Sequence, residues 1–334
     1  MLFGESTPGD QAARLLHAAA DAGINFFDSA EMYPVPQRAA TQGASERILG
    51  SWLKHRRRED YVIATKATGP SGQMTWIRGG PHRLDATNIT AALDGSLRRL
   101  QTDYIDLYQL HWPDRYVPMF GDIDYDPSAA YAATLLDEQL EALSAAVSAG
   151  KVRQVGLSNE TAWGLMECCR LAKMRPRLAK VASLQNAYSL LCRTFDMALA
   201  ECCHQEGIAL LAYSPLAMGL LTGKYLAQDG GPPHARLNRY KGRYAEAESR
   251  YGPRPNARAA IEAYVRLAGD SGLSPVELAM RFVLSHPLVA SAVIGATSVD
   301  QLMQQVHAAS QGSLDPGIMA RLDEIHQQFP NPTP

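Results

Sequence analysis

Short apolar runs alternate with helix-length amphipathic patterns along almost the whole chain, and this alternation limits the folds open to it. The first predicted helix is Gln11–Ala22, with Asp10 as N-cap and Gly23 as its stop. The strand Ile24–Phe27, the helix Ala44–His55 and the strand Tyr61–Thr65 follow. Next come the helix Asn88–Leu100, the strand Tyr104–Leu110, the helix Leu135–Ala149 ending at Gly150, and the strand Val152–Leu157. The helix Thr161–Leu171 precedes the strand Val181–Gln185, and the helix Phe195–Gln205 precedes the strand Ile208–Tyr213. Two helices, Ala257–Ala268 and Pro275–Ser285, lead to the strand Val289–Ile294 and the helix Val299–Ala308. A last helix at Pro316–Gln328 stands outside the alternation. Strict βα alternation with short helix-to-strand links predicts an α/β fold, a parallel sheet covered by helices.

The 334 residues, 46 % hydrophobic, are enough for two ordinary domains or one α/β barrel. Three links are long, Ala67–Thr87, Trp112–Thr134 and Ser214–Asn256, and each follows a strand. In a barrel, links after strands lie on the catalytic face. Seven strands are legible where a closed barrel of this kind has eight. The missing strand belongs before the first helix, where Leu2-Phe3 is its expected stump.

A formal net charge of −2 gives no footing for nucleic-acid binding or for a basic membrane patch. The start of the chain lacks the basic-then-apolar pattern of a signal peptide, and no apolar stretch reaches the ~18 residues of a transmembrane helix. The five cysteines include two adjacent pairs, Cys168-Cys169 and Cys202-Cys203, on predicted helices. Neighbouring helical residues diverge, so neither pair is expected to hold a metal. Reduced cysteines in a cytoplasmic protein are the expectation.

Four residues of reactive type fall at the ends of successive strands: Asp28 and Tyr33 after the first, Lys66 after the second and His111 after the third. The C-terminal ends of parallel strands converge, so these groups are expected to meet. Together they suit the reduction of a carbonyl. A tyrosine is a reluctant acid, with pKa near ~10. A lysine ammonium beside it stabilises the phenolate, a carboxylate holds the lysine, and a histidine orients the carbonyl oxygen by hydrogen bonding. No G-x-G-x-x-G joins an early strand to a helix, so a dinucleotide would be held without that fingerprint.

These segments resemble the aldo-keto reductase superfamily. The likeness is carried by Gly23-Ile24-Asn25-Phe26-Phe27-Asp28-Ser29-Ala30-Glu31-Met32-Tyr33, by Ala64-Thr65-Lys66, and by Asp103 through Pro113, with its Gln109-Leu110-His111-Trp112. Gly150 through Asn159 and Ala212-Tyr213-Ser214-Pro215-Leu216 extend it. It is closest to a Tas-like branch near the potassium-channel β-subunit reductases. The resemblance implies a single (β/α)8 TIM-barrel domain over residues 1–334 that binds NADP(H) without a Rossmann fold. Family members carry roughly two dozen further residues at the start, a hairpin and a first strand, which this chain is expected to lack.

The resemblance also implies roles. Asp28, Tyr33, Lys66 and His111 match the catalytic tetrad. Ser158, Asn159 and Gln185 match the holders of the nicotinamide carboxamide, and Tyr213 the residue that stacks on the ring. Ser214, Pro215 and Leu216 open the loop over the pyrophosphate, with Lys224 and Arg236 as phosphate contacts. Gly295, Thr297, Gln301, Gln304 and Gln305 match the adenosine-binding segment, where Gln305 replaces a more common asparagine. The implied activity is NADPH-dependent reduction of aldehydes or ketones, with a small-molecule carbonyl as partner. A reading of another class is a cofactor-binding redox sensor like the channel β-subunits, in which turnover is secondary. Trp112, Met32, Trp76, Tyr116 and Phe120 lie near enough in sequence to line an apolar substrate mouth.

Overall fold

A computed structural model describes residues 1–80 and 83–334; Pro81 and His82, within the Ala67–Thr87 link, lie outside the described residues. Two units emerge. The first comprises Met1–Val117, Asp126–Gln185 and Gly295–Leu302; the second comprises Pro118–Tyr125, Asn186–Ile294 and Met303–Pro334.

In the first unit, α1 (Gly9–Asp21), β1 (Phe26–Asp28), α2 (Ala44–Leu53), β2 (Val62–Ala67), α3 (Ala86–Leu100) and β3 (Ile105–Leu110) alternate. Then come α4 (Leu136–Ser148), β4 (Val152–Ser158), α5 (Ala162–Met174) and β5 (Val181–Ala187). Each strand pairs in parallel with the next in chain order. Phe26 lies opposite Val62, Lys66 opposite Gln109, Gln109 opposite Gly156, and Ser158 opposite Gln185. All six residues of β3 are buried, as expected for a parallel strand covered on both faces.

The elements are fixed by a few specific contacts. Trp52 of α2 packs edge-on against Phe27 and Tyr61, with ring centroids 5.1 Å away in each case. Glu46, buried on α2, accepts from Thr65 Oγ1 at 2.6 Å and from Arg99 Nε at 2.5 Å, which ties α2 to β2 and α3. Thr65 and Lys66 are neighbours on a strand, so anchoring one to the helix layer turns the other to the opposite face. At the start of β3, Asp106 accepts from Arg58 Nη2 at 2.6 Å, Arg153 Nη1 at 3.0 Å and the Ile63 amide at 2.9 Å.

In the second unit, α6 (Leu199–Glu206) precedes β6 (Ala209–Tyr213). The helices α7 (Arg236–Arg239), α8 (Ala245–Tyr251), α9 (Ala257–Asp270) and α10 (Pro275–Ser285) follow, then β7 (Val289–Val293), which is parallel to β6. Residues 299–310 form α11, and α12 (Pro316–Gln328) is the last helix. Tyr188 stacks on Phe282 with centroids 5.5 Å apart, and Arg193 lies over the same Phe282 ring, 4.4 Å from its centroid, and pairs with Asp323 at 2.7 Å.

Parallel strands alternating with helices are the repeat of the (β/α)8 TIM-barrel class, with seven strands among the described residues. Several boundaries differ from expectation. Asp10 does not cap α1; it lies in the first turn and pairs with Arg14 at 3.2 Å, and Pro8 takes the N-cap position. The expected helix Phe195–Gln205 is broken at Ala198 (φ −149°) into a 3-10 turn, Thr194–Met197, and α6. Leu2-Phe3 forms no strand: Phe3 makes a single bridge to Thr7, and its carbonyl accepts from Ser45 Oγ at 2.8 Å. β1 lies two residues later at its start and one later at its end than expected, so Asp28 is the last strand residue and not the first loop residue. The Ser214–Asn256 link contains α7, α8 and two 3-10 turns, Ala217–Thr222 and Lys224–Leu226.

Candidate active site

The first unit brings Asp28, Tyr33, Lys66 and His111 together. Lys66 is completely buried on β2, and its Nζ donates to Asp28 Oδ2 and, at 2.8 Å, to the Ser29 carbonyl. The same Nζ lies 5.4 Å from the centroid of the Tyr33 ring. Tyr33 OH meets His111 Nε2 at 3.5 Å, and the two rings cross at 83° with centroids 5.5 Å apart. His111 follows β3 directly, and its amide donates to the Ala67 carbonyl at 3.0 Å, so the ladder to β2 continues up to the imidazole.

Burial and charge set the state of these groups. Burial, the largest effect, lowers the Lys66 pKa from its ordinary value, while the carboxylates of Asp28 and Glu46 oppose it. In this buried site the polar partners of Nζ are the Asp28 carboxylate and the Ser29 carbonyl. Burial, and then the Lys66 charge, push the His111 pKa well below the ordinary imidazole value. His111 is therefore neutral at neutral pH. Its Nδ1 is buried without a hydrogen-bond partner among the described residues, and Nε2 faces the phenol.

The loop that carries Tyr33 is itself anchored. Its N-terminal part follows β2: the Ser29 amide donates to the Ala64 carbonyl at 2.9 Å, and the Glu31 amide to the Lys66 carbonyl at 3.1 Å. The buried Glu31 carboxylate pairs with Arg78 and accepts from the Thr68 amide at 3.0 Å. Arg78 also donates to the Thr68 carbonyl at 2.9 Å and to Asn88 Oδ1 at 3.0 Å. Neither Glu31 nor Arg78 was assigned a role from sequence; the signal there was one acidic residue set between Ala30 and Met32.

Ser158, Asn159 and Gln185 gather beside the tetrad in the same unit. Ser158 Oγ donates to the Gln185 carbonyl at 2.9 Å. Asn159, with φ +52°, turns its amide back to the His111 carbonyl at 2.8 Å and to Ser158 Oγ at 3.2 Å. Gln185 Nε2 donates to Asp28 Oδ1 at 3.0 Å. A second amide, Gln109 Nε2, reaches the same oxygen at 3.1 Å. Gln109 was missed, although strand alternation from His111 places it on the interior face. In residues 295–302, the Thr297 amide and hydroxyl both donate to Gln301 Oε1 at 3.0 Å, and Gln11 donates to the Thr297 carbonyl.

The second unit holds the other expected cofactor residues. Tyr213 OH accepts from Arg250 Nη1 at 2.7 Å, and its carbonyl accepts from the Tyr188 amide at 3.2 Å. Burial raises the Tyr213 phenol to about 12 against the opposing Arg250 charge. Ser214 adopts φ +57°, and its carbonyl accepts from the Ala217 amide at 2.8 Å, closing a turn around Pro215 and Leu216. The Lys224 amine lies over Gly219, where a Cβ would come within 2.7 Å of Nζ, and burial lowers its pKa. Arg236 begins α7 with its guanidinium 5.7 Å from the Tyr244 ring centre. Gln304 is exposed on α11, whereas Gln305 is buried.

Of the apolar residues expected at the mouth, Trp112 is buried, donates from Nε1 to the Pro70 carbonyl at 2.8 Å and packs on His111 at 4.8 Å. Gly69 makes that packing possible, since a Cβ there would lie 2.6 Å from the indole. Met32 is buried, while Trp76, Tyr116 and Phe120 are half-buried. Phe120 belongs to the second unit.

No helix among the described residues is long and apolar enough to cross a membrane. The sequence pattern that defines the Aldo/keto reductase family matches residues 1–327. The chain is 42 % identical over 336 aligned positions to Protein tas of Escherichia coli (strain K12), covering all of this chain and 94 % of that protein. It is 33 % identical to the uncharacterized oxidoreductase YrpG of Bacillus subtilis (strain 168), covering 99 % of this chain and 91 % of the relative. It is 29 % identical to a probable voltage-gated potassium channel subunit beta of Oryza sativa subsp. japonica, covering 99 % and 92 %. The chain therefore belongs to the aldo/keto reductase family, in its Tas-like and channel-β-like branch, and is an oxidoreductase.

Proposed function

We propose that the protein reduces aldehydes or ketones to alcohols with NADPH, and that Tyr33 is the proton donor. The observation that carries this reading is the buried Lys66–Asp28 pair set under the Tyr33 ring, with His111 Nε2 at the phenol. NADPH, when bound, would supply the hydride with its two electrons for the carbonyl carbon. As charge develops on oxygen, the Tyr33 phenol gives up its proton there, and the C=O becomes CH–OH. The phenolate left behind is stabilised by the Lys66 ammonium and regains its proton from water. Neutral His111 donates a hydrogen bond to the carbonyl oxygen and so orients it.

The donor set fits a nicotinamide. Ser158 offers a hydroxyl, and Asn159 and Gln185 offer amides that match the C=O and NH2 of a carboxamide. Within the first unit, Gly295, Thr297 and Gln301 are further proposed cofactor contacts. Within the second, Tyr213, Ser214, Pro215, Leu216, Lys224, Arg236, Gln304 and Gln305 are the proposed contacts. The preference for NADP(H) and a cytoplasmic setting belong to this reading, the latter because the cysteine usage suits a reducing compartment.

Following NADPH absorbance with an aromatic aldehyde tests the proposal. Wild-type turnover that disappears in Tyr33→Phe supports it. Tight NADPH binding without turnover would contradict it and favour a redox-sensing role.

A further inference from the structure

The two oxygens of Asp28 have different partners. Oδ2 holds Lys66, while Oδ1 accepts one hydrogen bond from Gln109 Nε2 and one from Gln185 Nε2. Gln185 Nε2 also lies 3.4 Å from Gln109 Oε1. A primary amide nitrogen has two protons, and both are engaged here. If Gln185 is to hold a carboxamide through that nitrogen, one of these bonds must be released. Gln109 has no such second duty. It is completely buried, and its Cα sits in register between Lys66 and Gly156. A Cβ at Gly156 would lie 3.2 Å from Gln109 Cγ and 2.7 Å from Ser183 Oγ, so the absent side chain makes room for the amide.

We propose that Gln109 is a positioning residue for the acid: it keeps Asp28 aimed at Lys66 when Gln185 turns to a bound carboxamide. The proposal rests on the carbonyl-reductase reading above. Gln109 acts through Asp28 and Lys66, with no contact to the reacting atoms assigned to it. Its donated hydrogen bond withdraws negative potential from the carboxylate. Loss of that bond leaves Asp28 more negative toward Tyr33, and the phenol becomes a weaker acid. The charged or titratable groups around the pair are Asp28 on β1, Tyr33 from the loop after it, Lys66 on β2 and His111 after β3. Glu46 on α2 adds its charge to Lys66.

The test compares Gln109→Met, which keeps the length without the donor, with Gln109→Glu, which keeps the shape and, buried beside the Asp28 carboxylate, takes up a proton and so retains a donor. Both are expected to bind NADPH within about twofold of wild type, and Met is expected to lose about tenfold in kcat at neutral pH, more than Glu. The alkaline limb of kcat is expected to move upward by about half a unit to one unit in Met, and by less in Glu. A second readout needs no turnover. The phenolate absorbance of each protein, minus that of its Tyr33→Phe partner, gives the Tyr33 titration directly, and its midpoint is expected to rise in the same order. If wild type turns over no aldehyde, the carbonyl-reductase reading fails, and this titration still decides the role of Gln109. Folded variants with an unmoved Tyr33 midpoint would overturn the proposal, even if their thermal stability fell.

Discussion

Lys66 and Asp28 carry the heaviest electrostatic demand on the site, because a fully buried ammonium survives only through its partner. Lys66→Met strands the carboxylate, and denaturant titration is expected to show a loss of about 3–5 kcal/mol. Adding Asp28→Asn removes the stranded charge, so the double variant is expected to be more stable than the single one. His111 gives a pH signature. Its pKa is lowered in the folded state, so the unfolded chain binds more protons between the lowered value and the ordinary one near ~6.5. The sign follows: the His111 contribution makes stability rise with pH across that window and fall on acidification. Melting temperatures measured between about pH 5 and pH 7 are expected to fall less steeply on acidification in His111→Asn than in wild type. Tyr33, Lys66, His111 and Asp28 were legible from sequence because each is a reactive type at the end of an apolar run. Gln109 was not singled out although strand alternation from His111 reaches it, and Glu31 and Arg78 were not because an ion pair one layer removed has no distinctive spacing.

Helix and strand packing turns on a few positions with no space for a side chain. Gly50 on α2 lies against the backbone of α3: a Cβ there would meet the Arg99 carbonyl oxygen at 2.5 Å and the Leu100 carbonyl carbon at 2.6 Å. Gly50→Ala is expected to cost about 1–3 kcal/mol in denaturant titration through overpacking. Gly269 near the end of α9 faces open space, so Gly269→Ala is expected to add about 0.5–1 kcal/mol in the same measurement. Element order and type followed from apolar periodicity, and α12 and α10 have the boundaries read from sequence. Boundaries failed where competing local chemistry decides them. Asp85 caps α3 by accepting from the Asn88 amide at 2.8 Å, which starts the helix two residues earlier than the apolar pattern does. Ala198 breaks the helix predicted at Phe195–Gln205 without any glycine or proline to announce it.

At the level of the whole molecule, the βα repeat and the family match agree on fold class and on oxidoreductase chemistry. The long link Ser214–Asn256 was opaque because its two short helices carry too few turns for a clear period. Substrate choice is also illegible in sequence, and packing explains part of the reason. Trp112, an evident candidate for the mouth, spends its indole N–H on the Pro70 carbonyl and its face on His111. The proposed reaction rests on protonation of the nascent alkoxide by the Tyr33 phenol, made more acidic by the Lys66 ammonium. It is tested most directly by single-turnover reduction of an aromatic aldehyde by NADPH in wild type and Tyr33→Phe, with NADPH affinity measured in parallel. The predicted result is a fall of about 10²–10⁴-fold in the hydride-transfer rate with affinity unchanged. Equal rates in the two proteins would contradict it.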